Sequence, residues 1–273
     1  MEVRMQKLDS YEAYQEIVDR YRRNAVFSNV YFLKSAILEM IDRKSLYDME
    51  WEGNLYLFRK EEGFFRIFYY IGNVEIRERI PLSAPMMVEF VYQEEMQPKK
   101  QEEAAFLKKL GFRLGRHSCR LELKREAVVC EDTDSAMKAS AVAYAEETEM
   151  DRINTLLRET FNPMYAYIPS LEELRKMIMD REILVVRQEG AVAGVLHFEM
   201  QKGNMMLWQI AVDPRFRGKG IGRCLLDGWH SIYKDSVKAF VLWTDAENDR
   251  AIQMYTAAGY QPDGRYSDEY ILL

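Results

Sequence analysis

The sequence predicts an α+β fold in two parts, and three observations carry that reading. Helix-period and strand-period segments alternate along residues 139–273. A looser version of the same alternation fills residues 1 to about 125. Between them, Lys124 to Lys138 replaces periodic apolar residues with charged and short polar ones, as a boundary does. The expected organisation is an accessory α+β domain over 1–130 and a second domain over 137–273. A chain of 273 residues with 48% hydrophobic and 12% aromatic content can supply a sizeable core to each.

In the first part, Tyr11 to Tyr21 and Tyr31 to Ile41 read as helices. Leu55 to Arg59, Phe64 to Ile71, Met87 to Tyr92 and Ser118 to Leu123 read as strands. In the second part, Ala139 to Glu146 is a first strand. Glu149 to Thr160 is a helix with Ile153, Leu156 and Leu157 on its inner face. Phe161 to Pro169 is an aromatic loop. Ser170 opens another helix with a capping box, since Glu173 lies three residues on. Ile183 to Arg187 and Val192 to Met200 form a strand pair turning at Glu189-Gly190. Met205 to Val212 is an apolar strand, Cys224 to Tyr233 a helix, and Val237 to Thr244 a strand. A helix from Asn248 stops at Gly259, and terminal strands complete the order.

Arg217-Gly218-Lys219-Gly220-Ile221-Gly222 joins the strand ending at Val212 to the helix beginning near Cys224. A Gly-rich turn opening a helix leaves several backbone N–H groups without intrahelical acceptors, at the positive end of the helix dipole. Its expected occupant is an anion, most simply a phosphate. A Walker loop needs Ser or Thr after the lysine, and here Lys219 precedes Gly220. A dinucleotide fingerprint needs its glycines directly after the strand, where Asp213-Pro214-Arg215-Phe216 intervenes, and Arg223 holds the slot of its third glycine.

The pattern R-x-x-G-x-G after Ile210-Ala211-Val212-Asp213-Pro214 resembles the acyl-coenzyme A loop of the GNAT-type N-acetyltransferases. Asn248, Ala251, Tyr255 and Gly259-Tyr260 resemble that family's second signature, N-x-x-A-x-x-x-Y-x-x-x-G-[FY]. The resemblance covers roughly residues 137 to 273. It implies the GNAT fold, a central, mostly antiparallel sheet flanked by helices. It also implies transfer of an acetyl group from acetyl-coenzyme A to an amine by direct attack in a ternary complex. By the same resemblance the pyrophosphate lies on the N–H groups of Arg217, Gly218, Lys219, Gly220, Ile221 and Gly222, with Lys219 and Arg223 adding charge. The pantetheine arm runs like an extra strand along Ile210, Ala211 and Val212, with Asn248 offering an amide. The Val212 N–H faces the thioester oxygen, and Tyr255 returns a proton to the leaving thiolate.

The strand before the loop, Met205 to Gln209, offers no carboxylate, so the base stays open among Glu199, Asp245, Glu247 and water. His197 alternates with Phe198 on a strand. The acceptor is expected near Phe161, Tyr165 and Tyr167 and the last turn around Arg265-Tyr266-Ser267. Small amines, amino acids, antibiotics and protein N-termini all remain open.

A net charge of −6 without an extended basic tract argues against nucleic acid or an anionic membrane as partner. Met1 to Arg4 begins no apolar signal core, and the apolar run Ala25 to Ile41 is too short and too interrupted to span a bilayer. Cys119, Cys130 and Cys224 sit at spacings that suggest neither disulfides nor a metal site, and His117, His197 and His230 are scattered. The expectation is therefore metal-free chemistry in a reducing cytoplasm, by a monomer or homodimer. Ala104 to Phe112 echoes the helix-Gly-aromatic cadence of Ile252 to Tyr260, with Leu107 in the place of Tyr255 and no R-x-x-G-x-G upstream. The first part is then a degenerate copy of the same unit or an unrelated α+β domain. A non-catalytic acyl-coenzyme A sensor, a longer acyl donor and an aminoacyl-tRNA donor are the alternative functions, the last disfavoured by the intact loop.

Overall fold

The computed structural model describes residues 5–128 and 141–273. Met1 to Arg4, Cys130, most of the expected boundary and the start of the expected first strand at Ala139 lie outside the described residues. By compactness the chain divides into unit 1, Met1–His117 with Tyr266–Leu273, and unit 2, Ser118–Arg265.

In unit 1, β1 (Gln6–Lys7) leads to α1 (Tyr11–Tyr21), where the Ser10 side chain accepts from the Ala13 N–H at 3.1 Å and caps the helix. A short β2 (Phe27–Ser28) and α2 (Lys34–Asp42) come next. The helix begins three residues later than its apolar pattern suggests. The chain is still extended at Leu33, and Phe32 packs edge-on against Phe68 with centroids 4.3 Å apart. β3 (Leu46–Trp51), which periodicity missed, pairs with β4 (Asn54–Lys60). β4 pairs antiparallel with β5 (Phe65–Ile71), and β5 pairs parallel with β6 (Met86–Gln93). Then comes α3 (Gln97–Lys109), ended by Gly111 at φ 97°. The sheet buries both faces, one against α1 and α2 through Ile17, Val18, Ile37 and Met40, the other against α3 through Phe106 and Leu107.

Unit 2 takes the C-terminal part of β7 (Arg113–Lys124), which pairs with β12 from Asp245↔Ser118 to Ala239↔Lys124. The sequence had placed that strand at the close of the first part. Next come β8 (Val142–Tyr144), α4 (Met150–Thr160), α5 (Leu171–Met179), β9 (Ile183–Gln188), β10 (Ala191–Gln201) and β11 (Asn204–Val212). α6 (Ile221–Tyr233), β12 (Ala239–Asp245), α7 (Asp249–Ala257) and a single closing strand, β13 (Gln261–Leu272), complete the order. Both bonds of the predicted capping box at Ser170 and Glu173 form. Glu189 and Gly190 take the left-handed turn between β9 and β10, at φ 55° and 75°.

The strand order is β7–β12–β11–β10–β9–β8, antiparallel except for β11–β12. Side-chain alternation along β10 sends Leu196 and Phe198 toward α6, and Val195 toward α4 and α5. This is the arrangement the GNAT resemblance implies. Unit 1 repeats it in the same order, but residues 72–85 replace the helix that comes after the Gly loop in unit 2. The repeat extends to single bonds. Phe112 N–H bonds Leu107 C=O at 3.1 Å and Gly111 N–H bonds Lys108 C=O at 3.0 Å, as Tyr260 bonds Tyr255 at 3.1 Å and Gly259 bonds Thr256 at 2.9 Å.

α6 lies close on the sheet because Gly194 of β10, where a Cβ would meet an Ile221 methyl at 2.6 Å, and Gly228 of α6 let it. A Cβ at Gly228 would meet the Val142 Cβ at 2.7 Å and one of its methyls at 2.5 Å. Val142 is β-branched and stiff, so it cannot simply rotate away. Gly228→Leu is expected to lose about 1–3 kcal/mol by overpacking, more than the roughly 1 kcal/mol of helix propensity it gains. Denaturant midpoints read from unit 2 would check this, and an unchanged midpoint would show that β8 yields freely.

Among the described residues, no helix is long and apolar enough to cross a membrane.

Candidate functional site

β11 and β12 pair in parallel from Met205↔Phe240 to Leu207↔Leu242, and each then runs on, β11 to Val212 and β12 to Asp245. Past Leu207 the two strands form a fork. On its other edge β11 carries a bulge. Phe198 pairs with Leu207 but His197 pairs with Gln209, so Trp208 is the extra residue. Bulges of this kind re-aim the backbone beyond them. Ile210, Ala211 and Val212, the residues expected along the pantetheine arm, form the end of β11 beyond the bulge.

Asp213 fixes the turn at the end of β11. Its N–H bonds the Ala193 carbonyl at 2.9 Å, and its carboxylate accepts from the Arg215 N–H at 2.9 Å and from the Arg152 and Arg215 guanidiniums. The carboxylate is buried, and Arg215 and then Arg152 hold its pKa well below the usual range. The Asp213-Pro214 pair could have signalled this turn, since Asp side chains cap their own backbone two residues on. The chain then climbs to Gly218 at φ 80° and Gly220 at φ 76°, where α6 starts.

Neither glycine has any atom within 4 Å of where a Cβ would stand. The requirement for glycine there is conformational, not steric. Gly220→Val should therefore leave the core intact but strain the loop by about 1–2 kcal/mol, and under the loop's expected role it should weaken acyl-coenzyme A binding roughly tenfold or more. Calorimetric titration would measure it, and unchanged affinity would detach the loop from binding. Gly222 differs, since its Cβ would stand 3.1 Å from Met254 Sδ and 3.8 Å from a Val212 methyl. Its small size brings the start of α6 against α7 and the end of β11.

The cations spread differently from one another. Arg217 donates to the Val212 carbonyl at 3.3 Å, and Lys219 rests over the Phe216 ring at 5.0 Å. Arg223 turns away to Asp227 at 2.7 Å and to the Ala257 carbonyl at 2.9 Å, linking α6 to the end of α7.

Asn248 caps α7, its side chain accepting from the Ala251 N–H at 3.1 Å. Two turns on, Tyr255 is buried, its ring edge-on to Tyr260 at 5.8 Å. Burial alone pushes its hydroxyl pKa well above the ordinary tyrosine value, so it stays protonated through the neutral range.

The carboxylates are not equally placed. Glu199 accepts from Trp208 Nε1 at 3.0 Å and Gln201 Nε2 at 3.0 Å. Asp245 accepts from the Glu247 N–H at 2.9 Å, and Glu247 is exposed. His197 is buried, which lowers its pKa to about 4, and its Nδ1 has no partner. The aromatic loop is tied to β11 by a bond sequence reasoning missed, Gln209 Nε2 to the Tyr167 carbonyl at 2.7 Å. Tyr167 itself is exposed and Phe161 packs beside α4. Around the last turn, Arg265 falls in unit 2 while Tyr266 and Ser267 fall in unit 1, where Ser267 donates to Glu89 at 3.0 Å.

Residues 150–260 match the model of the acetyltransferase (GNAT) family. A mycothiol acetyltransferase of Propionibacterium freudenreichii is 33% identical over 84 residues, 29% of this chain and 27% of that protein. One from Nocardia farcinica is 31% identical over 68 residues, 24% of this chain and 22% of that protein. The match thus spans about a quarter of either relative. Among solved structures, the glucosamine N-acetyltransferase region of a fungal multi-domain β-N-acetylglucosaminidase aligns over 98% of this chain and 38% of its own. Its TM-score is 0.66 at 11% identity. A GCN5-related N-acetyltransferase from Sphaerobacter thermophilus aligns over 99% of this chain and 95% of its own, with a TM-score of 0.57 at 13% identity. At such identities these two likenesses speak for the fold alone, and they extend it over both units.

Proposed function

The chain belongs to the GNAT superfamily, and on that premise we propose that unit 2 transfers an acetyl group from acetyl-coenzyme A to an amine. The observation that carries the proposal is the convergence of three features within unit 2. The β11–β12 fork opens beyond Leu207, the Gly218–Gly222 turn presents the N-terminus of α6 just past the end of β11, and Tyr255 lies on the adjoining α7.

In this reading the N–H groups of Gly218 to Gly222 hold the pyrophosphate, with Arg217 and Lys219 contributing charge. The pantetheine arm lies along Ile210, Ala211 and Val212 in the fork, beside Asn248. The amine nitrogen attacks the thioester carbonyl carbon, and the Val212 N–H takes up the charge that develops on its oxygen. The carbon–sulfur bond then breaks with its electron pair on sulfur, while the O–H of Tyr255 bonds the emerging thiolate. Because burial makes the phenolate costly, Tyr255 acts chiefly through that hydrogen bond; the proton crosses only as the thiol forms, and water resupplies it to the phenolate as Glu199 releases its own to solvent. The nitrogen gives up its own proton to Glu199, directly or through water. Trp208 and Gln201 hold that carboxylate on the strand next to β11, and this supports it over Asp245, which is committed to a turn.

The test is thiol release from acetyl-coenzyme A across a panel of amines, with mycothiol-type compounds included because two relatives carry that name. Release that depends on the amine is expected. Tight binding with no amine-dependent release would favour a non-catalytic acyl-coenzyme A sensor.

A further inference from the structure

Unit 1 contains the same strand fork as unit 2. β5 and β6 pair in parallel from Phe65↔Met86 to Ile67↔Val88, and then run on to Ile71 and Gln93. β4 covers one edge of β5 through Leu55↔Tyr70 and Tyr56↔Tyr69. The edge that faces the fork is covered by the chain itself. The Val26 N–H bonds the Ile71 carbonyl at 2.7 Å, and β2 adds Phe27↔Ile71 and Ser28↔Tyr70 in antiparallel register. Asn29 then closes the crotch. Its Oδ1 accepts from the Tyr69 N–H at 2.9 Å, and its Nδ2 donates to the Ile67 and Glu89 carbonyls, both at 3.1 Å. One primary amide thus satisfies backbone groups of both diverging strands.

The segment is sunk into the unit, not laid upon it. Asn29 and Phe27 are 4% and 6% exposed, and Phe27 packs on Phe106 of α3, the helix that holds the place of α7. Where the segment approaches, Gly72 leaves room, since a Cβ there would stand 3.2 Å from the Asn24 carbonyl oxygen.

We infer that Val26 to Asn29 is a built-in occupant of the unit 1 fork, standing where an amide-bearing coenzyme arm would otherwise add itself to β5. The inference rests on the proposed coenzyme track in unit 2. Its logic is that a strand edge can be satisfied once. In unit 2 the fork is left to a ligand that carries amides on an extended chain. In unit 1 the same hydrogen-bonding demand is met from within, the Asn29 amide taking the part of a pantetheine amide. Unit 1 therefore binds no acyl-coenzyme A, and the chain carries one site.

Two measurements on the full chain test this. Native-state amide exchange should find Val26 and Tyr69 protected to the same degree with and without acetyl-coenzyme A. Gly218 to Gly222 should gain protection only with it. Asn29→Ala should speed exchange at Tyr69 at least about tenfold, and Asn29→Asp, which sets an oxygen where Nδ2 donates to the Ile67 and Glu89 carbonyls, should not restore the protection. In calorimetry the wild type should bind one equivalent, and Gly222→Trp should bind none. A second equivalent, residual binding in Gly222→Trp, or a Val26 amide exchanging at the free-chain rate would each overturn the inference. If the wild type binds no acetyl-coenzyme A, the reading of unit 2 fails instead, and exchange at Val26 and Tyr69 still decides whether the fork is filled.

Discussion

Tyr255→Phe is expected to cut turnover by about 10²–10⁴-fold, the range that positioned acid catalysis supplies. Affinity for acetyl-coenzyme A should stay within about twofold, because the pyrophosphate loop and the fork keep every group proposed to hold the ligand. The substitution is nearly silent structurally. The ring is buried and packs on Tyr260, and phenylalanine keeps that packing. What disappears is one O–H on the α7 face that also carries Asn248 and Ala251.

A leaving-group series separates catalysis from mere packing. The hydroxyl helps only because an alkyl thiolate, from a thiol of pKa about 8.5, is a poor leaving group. Acetyl thioesters of more acidic aryl thiols need less help, so the deficit of the phenylalanine variant should shrink as thiol pKa falls. Because burial raises the Tyr255 pKa, no alkaline limb from this residue is expected in the neutral range. Equal turnover by the two proteins, or a deficit that ignores the leaving group, would remove Tyr255 from the chemistry.

How far the sequence showed this arrangement depended on whether the signal was local. The Gly218–Gly222 turn and the Asn248 to Gly259 helix were legible because caps and left-handed positions are local demands, met by particular residue types. The Ser170 capping box was legible for the same reason. The β11 bulge was not, because the extra residue is defined only against its partner strand, and Trp208 looks like any strand aromatic. The Gln209 tie to Tyr167 and the Asp213–Arg152 pair were hidden likewise, since each joins residues far apart in the chain. In the first part, the helix-Gly-aromatic echo at Gly111 hinted at a repeat. The filling of its fork by residues 26–29 left no mark on periodicity, because a two-residue strand is too short to have one. Glu199, Asp245 and Glu247 could not be ranked as candidate bases from sequence, because proximity to a fork is a tertiary property.

Acid should unfold unit 2 earlier than its carboxylates alone require, because two histidines are held neutral inside it. Burial lowers the pKa of His197 to about 4 and of His230 to about 3, the latter with a smaller push from Arg223. In the unfolded chain both titrate near about 6.5. Between those values the unfolded state binds more protons than the folded one, so stability is complete above about pH 6.5 and is lost as pH falls toward 4 and then 3. Each histidine adds roughly 1.4 kcal/mol per pH unit to that slope within its window, a combined loss on the order of several kcal/mol by pH 4. The depressed Asp213 acts in the same direction at lower pH.

His230 gives the clearest test. Its Nε2 meets the Tyr260 hydroxyl at 2.9 Å, and burial raises the Tyr260 pKa, so the tyrosine is the donor and the neutral imidazole the acceptor. Protonation would remove that acceptor and place a charge among Trp229, Phe240 and Tyr260. His230→Gln keeps an acceptor but cannot titrate. Trp208, Trp229 and Trp243 lie in unit 2 and Trp51 in unit 1, so fluorescence tracks mainly the unit in question. In urea unfolding measured from pH 7 to pH 4, the variant should lose stability with a slope shallower by about one proton. An unaltered slope would mean that His230 is already charged in the fold, or has the same pKa in both states.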